Sequence, residues 1–145
     1  MPPNMKNFYD PQDIKILINL KPQETATPPV CSLIINNTEL FNGVLASART
    51  FETTIELLDS IDIKISLKDK NYNTAPTTGL CINSLQIDAF NIVPNWTQLA
   101  QYSNDKNIIA PTNYLGYNGV WSLSIPEPFY RWQHRITGQG WLLQP

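Results

Sequence analysis

Eight consecutive residues in the middle of the chain limit its architecture more than any other feature. In Ile61-Asp62-Ile63-Lys64-Ile65-Ser66-Leu67-Lys68 the apolar and polar residues alternate without a break. A strand points successive side chains to opposite faces, so this period of two gives one fully apolar face and one wet face. A helix would scatter the same four apolar residues around its circumference. The period recurs along the chain. In residues 13–20, Ile14, Ile16, Ile18 and Leu20 share a face. In residues 50–57, Phe51, Thr53, Ile55 and Leu57 do the same, and Leu85, Ile87 and Ala89 continue the pattern. Gly119–Ile125 aligns Trp121, Leu123 and Ile125, and residues 130–136 align Tyr130, Trp132, His134 and Ile136 against Arg131, Gln133 and Arg135. The chain is expected to be all-β. One wet face per strand favours an antiparallel β-sandwich of about eight strands, with jelly-roll-like and immunoglobulin-like strand orders both open.

Turn signals separate these runs. Pro28-Pro29 precedes a strand at Val30–Ile35, and Leu58-Asp59-Ser60 is expected to join two antiparallel strands. Asn42-Gly43 and Asn118-Gly119 have the composition of tight hairpin turns, since both residues tolerate positive φ. Residues 69–78 read as a polar loop, and residues 95–102 as the one hint of a helical turn. With 145 residues, no repeat and no linker, the chain is expected to form one domain over residues 13–145, preceded by a polar arm, residues 1–12.

Composition removes several functions. Charged residues make up 15% of the chain, against the usual ~25%, the formal net charge is −2, and Asn occurs fifteen times. Such a surface matches neither nucleic acid nor anionic lipid, so no nucleic-acid or membrane partner is expected. A single histidine, His134, rules out His-cluster metal sites, and any triad would have to run through it. No Gly-x-Ser-x-Gly elbow accompanies it, and its place on an apolar strand face suits core packing. Cys31 and Cys81 read as buried free thiols, with a disulfide left open if their strands are neighbours. No apolar stretch resembles a signal peptide or a membrane anchor, and the two Asn-x-Thr sequons, at Asn36 and Asn95, read as chance.

The segment from Phe51 to Leu57, then Ile61 to Leu67, then Lys68-Asp69-Lys70-Asn71-Tyr72-Asn73, then Ile82 to Ile87, resembles the core of calcium-dependent xylan-binding carbohydrate-binding modules. The resemblance implies a β-sandwich, a glycan partner and a calcium cofactor held through Asp69 and Asn71. The chain departs from the pattern before its next strand. It reads Thr78-Gly79-Leu80-Cys81 where that family has an Asp-Arg-Asn stretch. Read as a loop alone, residues 69–73 alternate oxygen donors as a hard-cation loop does. An EF-hand is excluded, because its sixth and twelfth positions hold Thr74 and Leu80. A solvated turn explains the same residues.

The last third, from Asn113-Tyr114-Leu115-Gly116-Tyr117-Asn118-Gly119-Val120-Trp121 through Pro126-Glu127-Pro128-Phe129 to Gly140-Trp141-Leu142-Leu143-Gln144-Pro145, resembles β-sandwich modules of marine phages. In those that infect cyanobacteria they occur as small virion-associated proteins. The resemblance implies a non-enzymatic structural or attachment role. A virion component of the capsid surface or tail would be assembled in the host cytoplasm, with other copies of itself or other virion proteins as partners. Trp141, Arg131 and Arg135, together with the arm, are then the candidate interface. The alternative is a carbohydrate-binding module recognising a surface polysaccharide, with or without calcium. Aromatic rings stack on the C–H faces of sugars, and Tyr114 and Tyr117, which flank a turn, join Trp96 as its candidate ligand-binding residues.

Overall fold

A computed structural model of the chain describes residues 13–23, 27–106, 109–110 and 112–138; the N-terminal arm and Trp141 lie outside them. Among the described residues eleven strands form two antiparallel sheets. The strands are β1 (Asp13–Pro22), β2 (Val30–Ile35), β3 (Thr38–Val44), β4 (Arg49–Glu56), β5 (Ile61–Lys68), β6 (Leu80–Ile87), β7 (Phe90–Val93), β8 (Gln101–Asn104), β9 (Ile109–Ala110), β10 (Tyr114–Leu115) and β11 (Gly119–Ile125). One sheet runs β10-β6-β1-β4, with β7 also paired to β6, and the other runs β3-β2-β5-β11-β8-β9. Seven of these strands are six to ten residues long, and the other four, β7, β8, β9 and β10, are two- to four-residue pieces without a long alternating run of their own.

Alternation builds the core as its period requires. Ile14, Ile16, Ile18 and Leu20 of β1 and Ile61, Ile63, Ile65 and Leu67 of β5 are all buried. Each such side chain contributes roughly 1.5–3 kcal/mol of hydrophobic stabilisation. Strand β6 shows how the pattern survives a change of phase. Its buried residues are Leu80 and Ile82, then Leu85 and Ile87. The register against β1 shifts at Asn19/Leu20, so Asn19 faces Ser84 while Leu20 faces Ile82. The extra residue of this bulge re-aims the second pair at the core.

Two turns differ from expectation. The tight hairpins are Asn36-Asn37, with φ of 49° and 66°, and Asp88-Ala89, with φ of 49° and 65°. They close the Ile35–Thr38 and Ile87–Phe90 pairs. Positive φ at both central residues gives the twist that matches two paired strands. Ala89 therefore lies in a turn, whereas alternation would put it in a strand. Asn42-Gly43 lies within β3, and Gly119 is the first residue of β11. The turn after β4 does not form a hairpin. β5 already has β2 and β11 on its two sides, so the chain crosses from one sheet to the other there.

The largest correction concerns the C-terminal aromatics. Phe129–Thr137 is an α-helix (α1), not a strand. Phe129 and Trp132, three residues apart, are its buried residues, with Ile136 packed beside them. Pro128 precedes the helix, and Gly138 ends it with φ of 80°. His134 is exposed on this helix and does not join the core. Among the described residues no helix is long and apolar enough to cross a membrane. Both cysteines are free: Cys31 is buried in one sheet and Cys81 is half-buried in the other. Burial pushes the Cys31 thiol up to about 11, partly offset by Lys68.

Candidate functional site

Two segments read separately in the sequence meet at one end of the sandwich. The loop after β5 carries Lys70 and Tyr72, and the segment between β10 and β11 carries Gly116, Tyr117 and Asn118. The Asn118 side chain joins them. Its Oδ1 accepts from the Lys70 N–H at 2.8 Å, and its Nδ2 donates to the Lys70 carbonyl at 3.0 Å. The Asn118 N–H donates to Tyr72 Oη at 2.9 Å, and that hydroxyl donates to Asp105 Oδ1 at 2.6 Å. Burial is the main cause that raises the Tyr72 phenol above its usual range, with the Asp105 bond adding to it.

Tyr114 and Tyr117 are positioned by different means. β10 pairs with the start of β6, where Tyr114 faces Cys81. The Asn113 carbonyl accepts from the Ile82 N–H at 2.8 Å, and buried Trp121 donates from Nε1 to the Thr112 carbonyl at 2.7 Å. The Tyr114 ring lies against Gly79 and Gly116. A Cβ on Gly79 would fall 2.2 Å from Tyr114 Oη, and one on Gly116 would fall 2.9 Å from Tyr114 Cε2. Tyr117 is held through its backbone, whose N–H donates to Tyr102 Oη at 3.0 Å while its carbonyl accepts from the same hydroxyl. Tyr102 is buried, and burial pushes its phenol up to about 12. Tyr117 packs on Tyr72 with ring centroids 6.0 Å apart.

Together these residues line a cleft of about 380 Å³, formed by Lys70, Pro76, Tyr102, Asn104, Thr112, Tyr114, Gly116 and Tyr117. Tyr114 and Tyr117 keep 37% and 39% of their surface exposed, so both present ring area to a ligand. The Lys70 ammonium reaches in, donating to the Gly116 carbonyl at 2.5 Å, and lies 5.9 Å from the Tyr117 ring centroid. Among the described residues the lining carries no carboxylate, imidazole or thiol. It has what binding needs: apolar ring faces and a few fixed polar groups.

The other expected site residues fall elsewhere. Trp96 stacks on Phe90, with centroids 6.2 Å apart and an interplanar angle of 28°. Phe90 pairs with Ile87, at the opposite end of β6 from the Cys81 that faces Tyr114. Six residues of strand separate those ends by about 20 Å. Trp96 is thus not part of the tyrosine cleft. Asp69 is exposed with φ of 58°, and Asn71 Oδ1 already accepts from the N–H groups of Asn73 and Thr74, at 2.9 and 3.1 Å. Calcium takes six to eight oxygen donors. Of these, the two side chains supply one exposed carboxylate and one amide oxygen already occupied by its own turn, with the Lys70 ammonium on the intervening residue. Among the described residues no group of three or more His, Cys, Asp or Glu converges on a common point. Arg131 and Arg135 lie one helical turn apart on α1, both exposed. Arg135 binds Glu127 Oε1 through Nε at 2.8 Å and Nη2 at 2.6 Å. Trp141 lies outside the described residues.

Sequence reasoning missed Lys70, Tyr102 and Thr112. Lys70 sits inside the loop singled out for calcium, but as a cation between expected ligands it carried no signal there. Tyr102 fell in an expected helical turn, and only the preceding Thr97–Leu99 is helical, as a short 3-10 turn.

With this geometry in hand, the chain can be set beside known proteins. No protein-family model matches it, and no curated protein matches it by sequence. A solved structure of vCBM60, described with the circular permutation that links two families of calcium-dependent carbohydrate-binding modules, has a similar fold. Its TM-score is 0.53 at 9% sequence identity, over 77% of this chain and 91% of that one. The likeness is one of fold: an antiparallel β-sandwich.

Proposed function

We propose that this chain is a non-catalytic carbohydrate-binding module whose site is the cleft between Tyr114 and Tyr117. The observation that carries this reading is the cleft itself, two half-exposed tyrosine rings around a space of about 380 Å³ with fixed hydrogen-bonding groups between them. That volume matches a site for one or a few sugar rings. The backbone and side-chain bonds that hold Tyr114, Tyr117 and Lys70 are made within the protein, so little ordering is left to oppose binding. The shared sandwich fold of a known carbohydrate-binding module adds weight. The alternative of self-assembly on a virion gains no comparable observation, because the arm and Trp141 lie outside the described residues and Arg135 is occupied by Glu127.

The test is a glycan-array screen, run with calcium and with chelator, followed by calorimetry on Tyr114→Ala and Tyr117→Ala. Removing an anchoring ring should weaken binding by about tenfold or more. Arrays that show no binding under either condition, or affinity that survives both substitutions, would remove the proposal. Binding lost only on Trp96→Ala would move the site to the other end of the sheet.

A further inference from the structure

We infer, building on the carbohydrate-binding reading, that the ligand is an anionic saccharide whose acidic group is met by Lys70. Among the described residues Lys70 is the one charged side chain lining the cleft. An ammonium has three donors, and one of these is used on the Gly116 carbonyl. Among the described residues the ion pairs are Lys15–Glu52, Lys64–Asp62 and Arg135–Glu127, so no carboxylate neutralises Lys70 there.

The position of that charge is fixed. Asn118 grips the Lys70 backbone on both sides, and the ammonium lies 5.5 Å from the Tyr72 ring centroid as well as 5.9 Å from that of Tyr117. Ring faces attract a cation only weakly at partly exposed sites. They leave it able to form a charge-assisted bond to a carboxylate or sulfate, which is stronger than a neutral one. The Lys106 ammonium, 4.3 Å from the Tyr72 ring, adds positive charge behind the cleft. Neither nearby carboxylate is in the lining: Asp105 accepts from Tyr72, and Asp69 is exposed. Burial also lowers Lys70 from its ordinary range, as expected for a cation that lacks a counterion. Binding through an ammonium needs no metal, which accords with the poor calcium donor set at Asp69 and Asn71.

The experiment is calorimetry at low and high salt with tetragalacturonate, a sulfated galacto-oligosaccharide and neutral galactotetraose, each with chelator. It compares the wild type with Lys70→Gln, Lys70→Arg and Lys106→Gln. The substitution leaves both Asn118 bonds to the residue 70 backbone in place, so the loop should keep its fold. The wild type should bind a charged oligomer about tenfold more tightly than the neutral one, with the margin shrinking in salt. Lys70→Gln should erase the margin, Lys70→Arg should retain it, and Lys106→Gln should reduce it only in part. Carboxylate and sulfate arms separate the two kinds of acidic sugar. Equal affinity for charged and neutral oligomers, a margin that survives Lys70→Gln, or binding of the neutral oligomer alone would overturn the inference and leave the carbohydrate-binding reading standing. Failure of every probe, with none bound on the array either, would overturn both.

Discussion

Asn118 and Lys70, 48 positions apart, are joined by two hydrogen bonds that use both polar atoms of one side chain and both polar groups of one backbone residue. This pair fastens the loop after β5 to the loop before β11. It works beside the Lys70–Gly116 and Asn118–Tyr72 bonds that link the same two loops. Asn118→Ala removes both bonds and leaves the Lys70 N–H and carbonyl without those partners. At about 0.5–1.5 kcal/mol per bond, the expected loss is roughly 1–3 kcal/mol. Urea unfolding should show it as a lower midpoint with an unchanged slope. Ligand affinity should fall further than the change in folding explains, because the cleft loses its fixed geometry.

Tyr102 provides a pH signature. Its phenol is pushed up to about 12 in the folded protein, against an ordinary value of 10.0. Between those values the folded state holds a proton that the unfolded chain has released. Stability therefore falls as pH rises through that window and is insensitive to this group below about 10. Tyr130, raised to about 12 mainly by its hydrogen bond to Asp88, acts in the same direction from an exposed position. Denaturation midpoints measured from pH 8 to pH 12 should drop above about pH 10, and Tyr102→Phe should lessen the drop. A flat profile in the wild type would contradict the assignment.

Gly79 governs Tyr114. A methyl group there would sit 2.2 Å from the Tyr114 hydroxyl, so Gly79→Ala must displace the ring. The obstacle is the far end of a side chain, so the fold should survive while the cleft loses one wall. Affinity should fall to near that of Tyr114→Ala, about tenfold, with a far-ultraviolet circular dichroism spectrum like that of the wild type. Unchanged affinity would show that Tyr114 is not a binding wall.

Ala89 holds a φ of 65° in the turn between β6 and β7. That conformation costs an L residue roughly 1–2 kcal/mol and glycine almost nothing, although glycine gains more freedom in the unfolded chain. Ala89→Gly, which creates an Asp-Gly turn, should stabilise the protein by about 0.5–1 kcal/mol. Thermal unfolding should report a small rise, and a fall would mean that the turn is not of this type.

Where the sequence could be read, a local rule sufficed. Alternation in Ile61–Lys68 needs only the geometry of an extended chain, and the buried face of β5 follows from it. The same rule misled at Phe129–Thr137. Trp132 and Ile136 fit both a period of two and one helix face, and only Phe129, outside the segment read as alternating, resolves the two. The hairpin at Asn36-Asn37 was hidden for another reason. Asn is common throughout the chain, so a pair of them carried little local signal, while Asn42-Gly43 carried a stronger one and lies within a strand.

The sequence by itself determined the sandwich, most of its core and the presence of tyrosines beside a turn, because side-chain period and turn chemistry are properties of neighbouring residues. Only the tertiary structure decided that Tyr114 and Tyr117 share a cleft with Lys70 and Tyr102, that Trp96 belongs to the other end, and that Asn71 is occupied by its own turn. Those facts depend on strand register and on hydrogen bonds between residues tens of positions apart. A register is fixed by the packing of whole faces against each other, and no local pattern records which loops that packing brings together.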